Sequence, residues 1–423
     1  RVGTDQMSGV SIANQLMFVF NLCIFGGLSG VGIFAAQFHG AGNHKGVRNC
    51  VRYKLYLSAI LCIVGLAIFQ TYGSDLIMRY LGGDESPERI QSTLGFGNDY
   101  LDVMLWGLVP FAITQVYGST LRETGETGLP MRAGIYAVLV NLVLNSILIY
   151  GLLGMPAMGV RGAAIATVIS RFVEMGIVVF RTHAEKYRFR FIEGVYRSPR
   201  IPMQLVRMVF VKGTPLLVNE ALWALGVAAL AQCYSMRGLD VVAAMNISST
   251  ASNLFNVVFL AMGNAIAIIL GQELGANRTE VAKGYCWKLA LFSVVSCILM
   301  GLLLSIAAPF IPHIYNTSAE VRTLATRFIW IAALCMPLFA FANSSYFTLR
   351  SGGKTMLTFF FDCGFSWVLS LPLAYVLVKF TGMNIVYIYL LVQSADFIKC
   401  VIGAVLMKKG IWINNMVAQV QEA

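Results

Sequence analysis

A short motif that occurs twice decides the fold of this chain. Residues 37–42 read Gln-Phe-His-Gly-Ala-Gly, and residues 272–277 read Gln-Glu-Leu-Gly-Ala-Asn. Further matches lie on either side of the motif: Phe20-Asn21 with Phe255-Asn256, and Leu121-Arg122 with Leu349-Arg350. Similarity between segments so far apart in the sequence indicates two halves that share one architecture.

The composition around the motif is that of a membrane protein. Apolar residues make up 57% and charged residues 12% of the 423 residues, and the mean hydropathy is +0.72. Soluble domains have about 25% charged residues, and about 20 apolar residues suffice to cross a bilayer. Several uncharged stretches reach that length, among them 6–44, 133–160, 241–272 and 289–319, so an ordinary soluble enzyme is excluded.

The apolar runs predict eleven transmembrane helices. They lie near 9–37, 51–72, 97–121, 130–153, 160–181, 205–235, 240–271, 285–309, 321–349, 355–379 and 384–407. An even number of helices separates the two motifs, so the halves have the same orientation in the membrane. The second half has a helix, 205–235, before the one that carries its motif, whereas the first half begins at the equivalent point. We therefore expect an all-α polytopic protein of two parallel six-helix bundles, with one N-terminal helix preceding this sequence.

The distribution of positive charge predicts the domains and the topology. We expect a lobe over 1–182, a basic cytoplasmic linker over 183–204 and a lobe over 205–423. With residue 1 outside, about 22 of the 31 Lys and Arg residues lie in the inner loops. The net charge of +11 thus reflects the positive-inside rule and does not indicate nucleic acid.

The sequence indicates neither a metal site nor disulfide bonds. The nine cysteines are scattered through apolar runs without a CxxC pair, and the four histidines lack metal-ligand spacing. No motif indicates a catalytic set of residues. We expect no metal, no cofactor and no enzyme activity.

The predicted architecture closely resembles that of the multidrug and toxic compound extrusion (MATE) family. The shared features are two parallel six-helix halves, a basic linker between them and a Gly-Ala loop after the second helix of each half. The resemblance covers nearly the whole chain. Its most specific residues are Gly40-Ala41-Gly42 with Gly275-Ala276-Asn277, Pro110 with Pro337, Leu121-Arg122 with Leu349-Arg350, and Thr214-Pro215 followed by Glu220. The resemblance implies secondary active efflux of amphipathic or cationic drugs, toxins or metabolites in exchange for H⁺ or Na⁺. Unlike the sodium-coupled branch, the tenth family helix has no acidic residue over 337–350, which leaves the coupling ion open.

Two intramembrane acids are candidates for ion coupling. Glu220 lies eight residues after Lys212, and Asp362 lies eight residues after Lys354. Each carboxylate is therefore predicted roughly 12 Å into the bilayer from the inner side. Buried carboxylates are expensive in a membrane and are by default functional, although separate hydrogen bonds to neighbouring helices are the alternative.

Two charge pairs also lie within predicted helices. Arg171 and Glu174 are three residues apart in one half, and Asp396 and Lys399 are three apart in the other, with the signs exchanged. Neighbours at this spacing can neutralise each other on one helix surface, which favours a structural role. The alternative is that Arg171 or Lys399 binds a carboxylate in one transport state and releases it in another.

Polar residues in the apolar helices predict a substrate cavity between the halves. The candidates are Asn14, Asn21, Gln115, Asn141, Asn145, Asn246, Ser249, Asn253, Asn256 and Asn343. The alternative is that these side chains link helices by hydrogen bonds.

Two other functions compete with efflux. A flippase for lipid-linked saccharides would need a cavity rich in Arg and Lys, whereas the predicted lining is neutral. A membrane receptor or enzyme would need an extramembrane domain or a catalytic set of residues. We expect a monomer in a bacterial inner membrane, with a small-molecule substrate and membrane lipid as its partners.

Overall fold

The computed structural model describes residues 4–81 and 86–418, and this part of the chain is helical without β-strands. The long helices of the first half are α1 (Thr4–Gly40), α2 (His44–Tyr80), α3 (Pro87–Leu105), α4 (Leu108–Glu123), α5 (Gly128–Tyr150) and α6 (Gly159–Ala184). The α-helices of the second half are α7 (Met203–Ser235), α8 (Leu239–Gly275), α9 (Thr279–Ala307), α10 (Ala319–Ser351), the short α11 (Thr355–Phe359), α12 (Leu371–Phe380), α13 (Ile385–Ser394) and α14 (Asp396–Lys408). Two π-helical turns, Phe360–Gly364 and Ser366–Ser370, connect α11 to α12.

The described residues form ten helices that are long and apolar enough to cross a membrane, or eleven if one bent pair is counted as a span. This confirms the predicted all-α membrane fold. The bent pair is α3 and α4, which meet at 48°. The predicted helix 97–121 therefore corresponds to one bent span, which is interrupted at 106–107. Gly107 lies at the bend and Pro110 follows it, and proline cannot supply the N–H that continues a helix.

Several helices begin earlier than the hydropathy predicted. The second helix starts at His44, not at 51, because the Asn43 side chain caps it by accepting a hydrogen bond from Gly46 N at 2.8 Å. Its first turns carry Arg48 and Arg52, whose long side chains can reach polar surroundings from a helix near the interface. These charged residues lower the local hydropathy, so the apolar pattern did not reveal where the helix begins.

The chain divides into two compact units. The first comprises Arg1–Ala35 and Asn43–Arg207, and the second comprises Ala36–Gly42 and Met208–Ala423. This division differs from the predicted boundaries in two places. The basic segment 183–204 belongs to the first unit, and the first copy of the repeated motif belongs to the second unit.

Within the second unit, the two copies of the motif contact each other reciprocally. A Cβ added to Gly40 would lie 1.9 Å from the carbonyl oxygen of Gln272, and one added to Gly275 would lie 1.9 Å from that of Gln37. Neither distance leaves room for a side chain. Close approach of two backbones therefore explains why glycine occurs at this position of both copies.

The glutamine of the first copy is fully buried and has three main-chain partners. Gln37 Nε2 donates to the carbonyl oxygens of Ser351 at 3.0 Å and Asn414 at 3.1 Å. Its Oε1 accepts a hydrogen bond from Met416 N at 2.7 Å. The motif thus anchors the end of α10 and the segment after α14 in the second unit.

Candidate functional site

Asp362 lies at the centre of the polar site in the second unit. It occupies the π-helical turn Phe360–Gly364, and such turns are common at functional sites. Its Oδ1 accepts a hydrogen bond from Lys399 Nζ at 2.6 Å, and its Oδ2 accepts one from Asn219 Nδ2 at 3.0 Å. The side chains of Lys399 and Asp362 are 10% and 17% exposed, so this ion pair is largely buried.

Further charged groups surround this ion pair. Glu220 on α7 is half-buried, and the charges of Arg350 and Asp362 act on it. Tyr346 lies among them, because its hydroxyl is 3.4 Å from Asn219 Nδ2 and experiences the charges of Glu220, Asp362 and Arg350. Asp396 interacts electrostatically with Lys399 and Asp362. We call this group the acidic cluster, and its members are Asn219, Glu220, Tyr346, Arg350, Asp362, Asp396 and Lys399.

The acidic cluster has more acids than bases and an unused acceptor. The carboxylates of Glu220, Asp362 and Asp396 face two cations, Arg350 and Lys399, which leaves one negative charge in excess when all are ionised. The buried Oδ1 of Asn219 has no hydrogen-bond donor among the described residues. Carboxylate and amide oxygens are suitable ligands for a proton or a hard cation. Among the described residues, however, no group of three or more His, Cys, Asp or Glu side chains is arranged to hold a metal ion.

The structure places the polar residues of α1 and α8 mainly on exposed faces of their units. Asn14 is exposed and accepts a hydrogen bond from the Tyr100 hydroxyl at 3.1 Å, whereas Leu16 is 7% exposed. In the second unit Ser249 is exposed, but Ile247 is 5% exposed. Asn246 and Asn253 are also exposed, and Asn21 and Asn256 are partly buried. Their role in substrate binding stays a prediction.

The remaining cavity candidates make contacts within their own units. Asn145 Nδ2 donates to Asn141 Oδ1 at 2.9 Å, and Asn141 Nδ2 donates to Thr167 Oγ1 at 3.3 Å, which links α5 to α6. Asn343 packs so close to Gly263 that an added Cβ there would lie 2.2 Å from its Oδ1. Gln115 is half-buried on α4. For Asn141 and Asn145 the geometry favours helix linkage.

Comparison with known proteins identifies the family. The MatE family model matches residues 1–147 and 215–376, which is most of the chain. The chain belongs to the MatE family. MatE proteins are membrane transporters that bind small-molecule substrates, so the chain is a multi-pass integral membrane transporter and not an enzyme.

Relatives and solved structures agree with this assignment. The chain is 25% identical over 382 residues to a probable multidrug resistance protein NorM of Thermotoga maritima, covering 90% of this chain and 79% of that protein. It is 26% identical over 385 residues to the multidrug resistance protein MdtK of Yersinia pestis, covering 89% and 80%. A solved outward-facing multidrug resistance MATE family transporter superposes with a TM-score of 0.85 at 16% identity, covering 100% of this chain and 90% of that one. The structural likeness shows that the fold is shared.

In this MatE chain, the basic members of the two predicted charge pairs contact other helices. Lys399 forms its ion pair with Asp362 in the π-helical turn, whereas Asp396, its neighbour on α14, acts on it electrostatically. The direct ion pair is thus the kind of contact that the second interpretation of the spacing requires. Arg171 donates a hydrogen bond to the carbonyl oxygen of Gly107 at 3.1 Å and lies 5.0 Å from the Phe111 ring centre. The i,i+3 spacing could not reveal these partners because they are distant in sequence.

Sequence reasoning also missed a buried ion pair in the first unit of this MatE chain. Lys54 is fully buried, and its Nζ lies 2.6 Å from Glu123 Oε2 and 2.9 Å from Ser119 Oγ. Gly32 leaves room for the acid, because a Cβ added there would lie 2.4 Å from Glu123 Oε1. The predicted helices place Lys54 in the first turn of 51–72 and Glu123 just beyond the end of 97–121, so neither was recognised as buried. The structure shows that α2 begins before Lys54 and that α4 extends to Glu123, so that both side chains lie inside the protein.

Proposed function

We propose that this MatE protein is a secondary active exporter of amphipathic or cationic small molecules, driven by exchange for H⁺ or Na⁺. The acidic cluster of the second unit is the observation that carries the proposal. Buried charges in membrane-spanning helices are costly and are retained mainly where ions or protons move. An excess carboxylate beside a free amide oxygen gives the coupling cation a place to bind.

Coupling follows from competition for Asp362. Lys399 Nζ and the incoming cation are both positive and both require the same carboxylate. When a cation binds between Glu220 and Asp362, the attraction that holds Lys399 at 2.6 Å weakens. Lys399 lies on α14 and Asp362 lies in the π-helical turn. These segments have one arrangement in which Lys399 binds Asp362 and another in which a cation binds Asp362 instead, and cation binding stabilises the second relative to the first.

Neutral polar side chains suit the proposed substrates. The residues of α1 and α8 proposed to contact them are Asn14, Asn21, Asn246, Ser249, Asn253 and Asn256. Amides and hydroxyls can bind diverse amphipathic molecules without a fixed charge partner. A flippase of lipid-linked saccharides would need cations in these positions to bind pyrophosphate, and the named multidrug resistance relatives also favour efflux. We place the protein in a bacterial inner membrane as a monomer.

Transport in proteoliposomes tests the proposal. Purified protein is reconstituted, ethidium is supplied as the cationic substrate, and Na⁺ and pH gradients are imposed separately with the membrane potential held at zero. We expect one of the two gradients to drive ethidium against its concentration gradient, with movement of the coupling ion in the opposite direction. Absence of uphill transport under both gradients, with ethidium and a panel of other amphipathic cations, would contradict the proposal.

A further inference from the structure

A second polar site lies in the first unit, far from the acidic cluster in sequence. It is a cavity of about 750 Å³ between the beginning of α2, the end of α6 and the basic segment 183–204. Its charged and titratable lining residues are Arg48, Arg52, His183, Lys186, Glu193, Tyr196 and Arg197. Neither the ion coupling nor the substrate contacts proposed above use this cavity.

Arginine side chains of α2 build the cavity by ordering the basic segment. Arg52 Nε donates to the carbonyl oxygen of Val195 at 2.7 Å, and its Nη2 donates to that of Gly194 at 2.6 Å. Arg48 Nη2 donates to the carbonyl oxygen of Arg190 at 3.3 Å. These acceptors are neutral. The guanidinium groups therefore hold the cavity wall in place while their positive charge stays uncompensated.

The cavity has a net positive charge. Arg48, Arg52, Lys186 and Arg197 contribute four positive charges and Glu193 contributes one negative charge, which leaves an excess of three. Within the part of the chain that the structure describes, none of the four basic side chains has a carboxylate within 4 Å. A concave surface with several unpaired cations attracts an anion with more than one charge or acceptor oxygen.

The position of the cavity agrees with a ligand at the membrane surface. It lies at one end of two membrane-spanning helices, on the side that the positive-inside rule assigns to the cytoplasm. Exposed Tyr196 lines it, exposed Tyr187 follows the lining residue Lys186, and the hydroxyl of exposed Tyr56 donates to the carbonyl oxygen of Pro199. Tyrosine is enriched where a membrane meets water. Phosphate groups of anionic phospholipids lie at this depth, and soluble phosphates reach it from the cytoplasm.

We propose that this cavity is a phosphate-binding site, occupied by the phosphate of an anionic phospholipid headgroup or of a soluble phosphate compound. The guanidinium and ammonium groups bind phosphate oxygens by charge-assisted hydrogen bonds, and the interfacial tyrosines accommodate the apolar part of a lipid. The site does not depend on the proposed coupling ion or exported substrate.

Binding is tested by thermal unfolding of the detergent-solubilised protein. The probes are dihexanoyl phosphatidylglycerol, dihexanoyl phosphatidylcholine and inorganic pyrophosphate, each at matched ionic strength. The test variant is Lys186→Gln/Arg197→Gln, which removes two cavity charges without touching the arginines that order the segment. The control variant is Lys408→Gln/Lys409→Gln, because both lysines are exposed and lie outside the cavity, and the positive-inside rule assigns them to the cytoplasmic side as well.

We expect saturable stabilisation of the wild type and the control by phosphatidylglycerol or pyrophosphate, and an affinity about 30-fold lower in the test variant. Stabilisation by phosphatidylglycerol alone identifies a lipid headgroup as the ligand, and stabilisation by pyrophosphate identifies a soluble phosphate. Three results would overturn the proposal: no stabilisation by either anion, equal stabilisation by phosphatidylcholine, or an unchanged affinity in the test variant.

Discussion

Removing the ammonium group of Lys399 should reveal how strongly the acidic cluster depends on its central ion pair. In Lys399→Met the side chain keeps its apolar stem, but Asp362 loses a partner 2.6 Å away. Asn219 then remains as a neutral hydrogen-bond donor to the carboxylate. Because both members of the pair are largely buried, we expect the free energy of unfolding to fall by about 3–5 kcal/mol.

A double-mutant cycle separates this ion pair from the other charges. Asp362→Asn in the Lys399→Met background removes the unpaired carboxylate, so part of the lost stability should return. We expect a coupling energy of about 1–3 kcal/mol between the two positions. The same cycle with Asp396→Asn is the matched control, since a neighbouring pair on one helix contributes about 0.2–0.5 kcal/mol.

The cycle is measured by SDS-induced unfolding in mixed micelles, followed by far-ultraviolet circular dichroism. Two results would refute the reasoning. One is additivity of Lys399→Met and Asp362→Asn within about 0.5 kcal/mol, which would mean that the two groups do not interact. The other is a coupling to Asp396 larger than that to Asp362, which would restore the intrahelical pair that the sequence predicted.

Two further predictions concern α1. In a background without the nine native cysteines, Asn14→Cys should react with a water-soluble thiol reagent, and ethidium should protect it from the reagent. Leu16→Cys is the control and should not react, because Leu16 is buried. Equal labelling of the two variants would remove Asn14 from the proposed substrate contacts. Gly40→Ala should lower the free energy of unfolding by about 1–3 kcal/mol, because its Cβ would overlap the carbonyl oxygen of Gln272. Gly284→Ala on α9 is the control, since its Cβ meets nothing within 4 Å, and a similar loss there would contradict the packing argument.

Hydropathy predicted the features of the fold that depend on local sequence alone. The number of spans follows from the lengths of apolar runs. The repeated motif indicated two similar halves, but it did not predict the reciprocal contact of Gly40 and Gly275. The 48° bend between α3 and α4 was not predicted, because both arms are apolar and the break at Gly107 does not interrupt the run. The π-helical turn around Asp362 was missed for the same reason.

The candidate site was only partly predictable. Glu220 and Asp362 stood out because carboxylates are rare in apolar helices, and the structure brings both into the acidic cluster. Their partners Asn219 and Tyr346 are ordinary residues of membrane helices and gave no signal. Lys54 lies in the first turn of the predicted helix 51–72, close in sequence to Arg48 and Arg52, and was not recognised as buried. The choice of Asp362 as the partner of Lys399 depends on tertiary packing between segments 37 residues apart, which helical spacing cannot reveal.

The central claim, that the acidic cluster couples ion exchange to export, is tested most directly by separating uphill from downhill transport in proteoliposomes. Glu220→Gln and Asp362→Asn keep the shape of each side chain but remove its titratable charge. Asp240→Asn and Glu280→Gln, exposed acids of the same half, are the controls.

Ethidium flux is measured with and without the coupling-ion gradient, at equal amounts of folded protein. The account predicts that both cluster variants lose ion-driven accumulation while still binding ethidium, and that both controls accumulate it as the wild type does. Full ion-driven accumulation by both Glu220→Gln and Asp362→Asn would contradict the account.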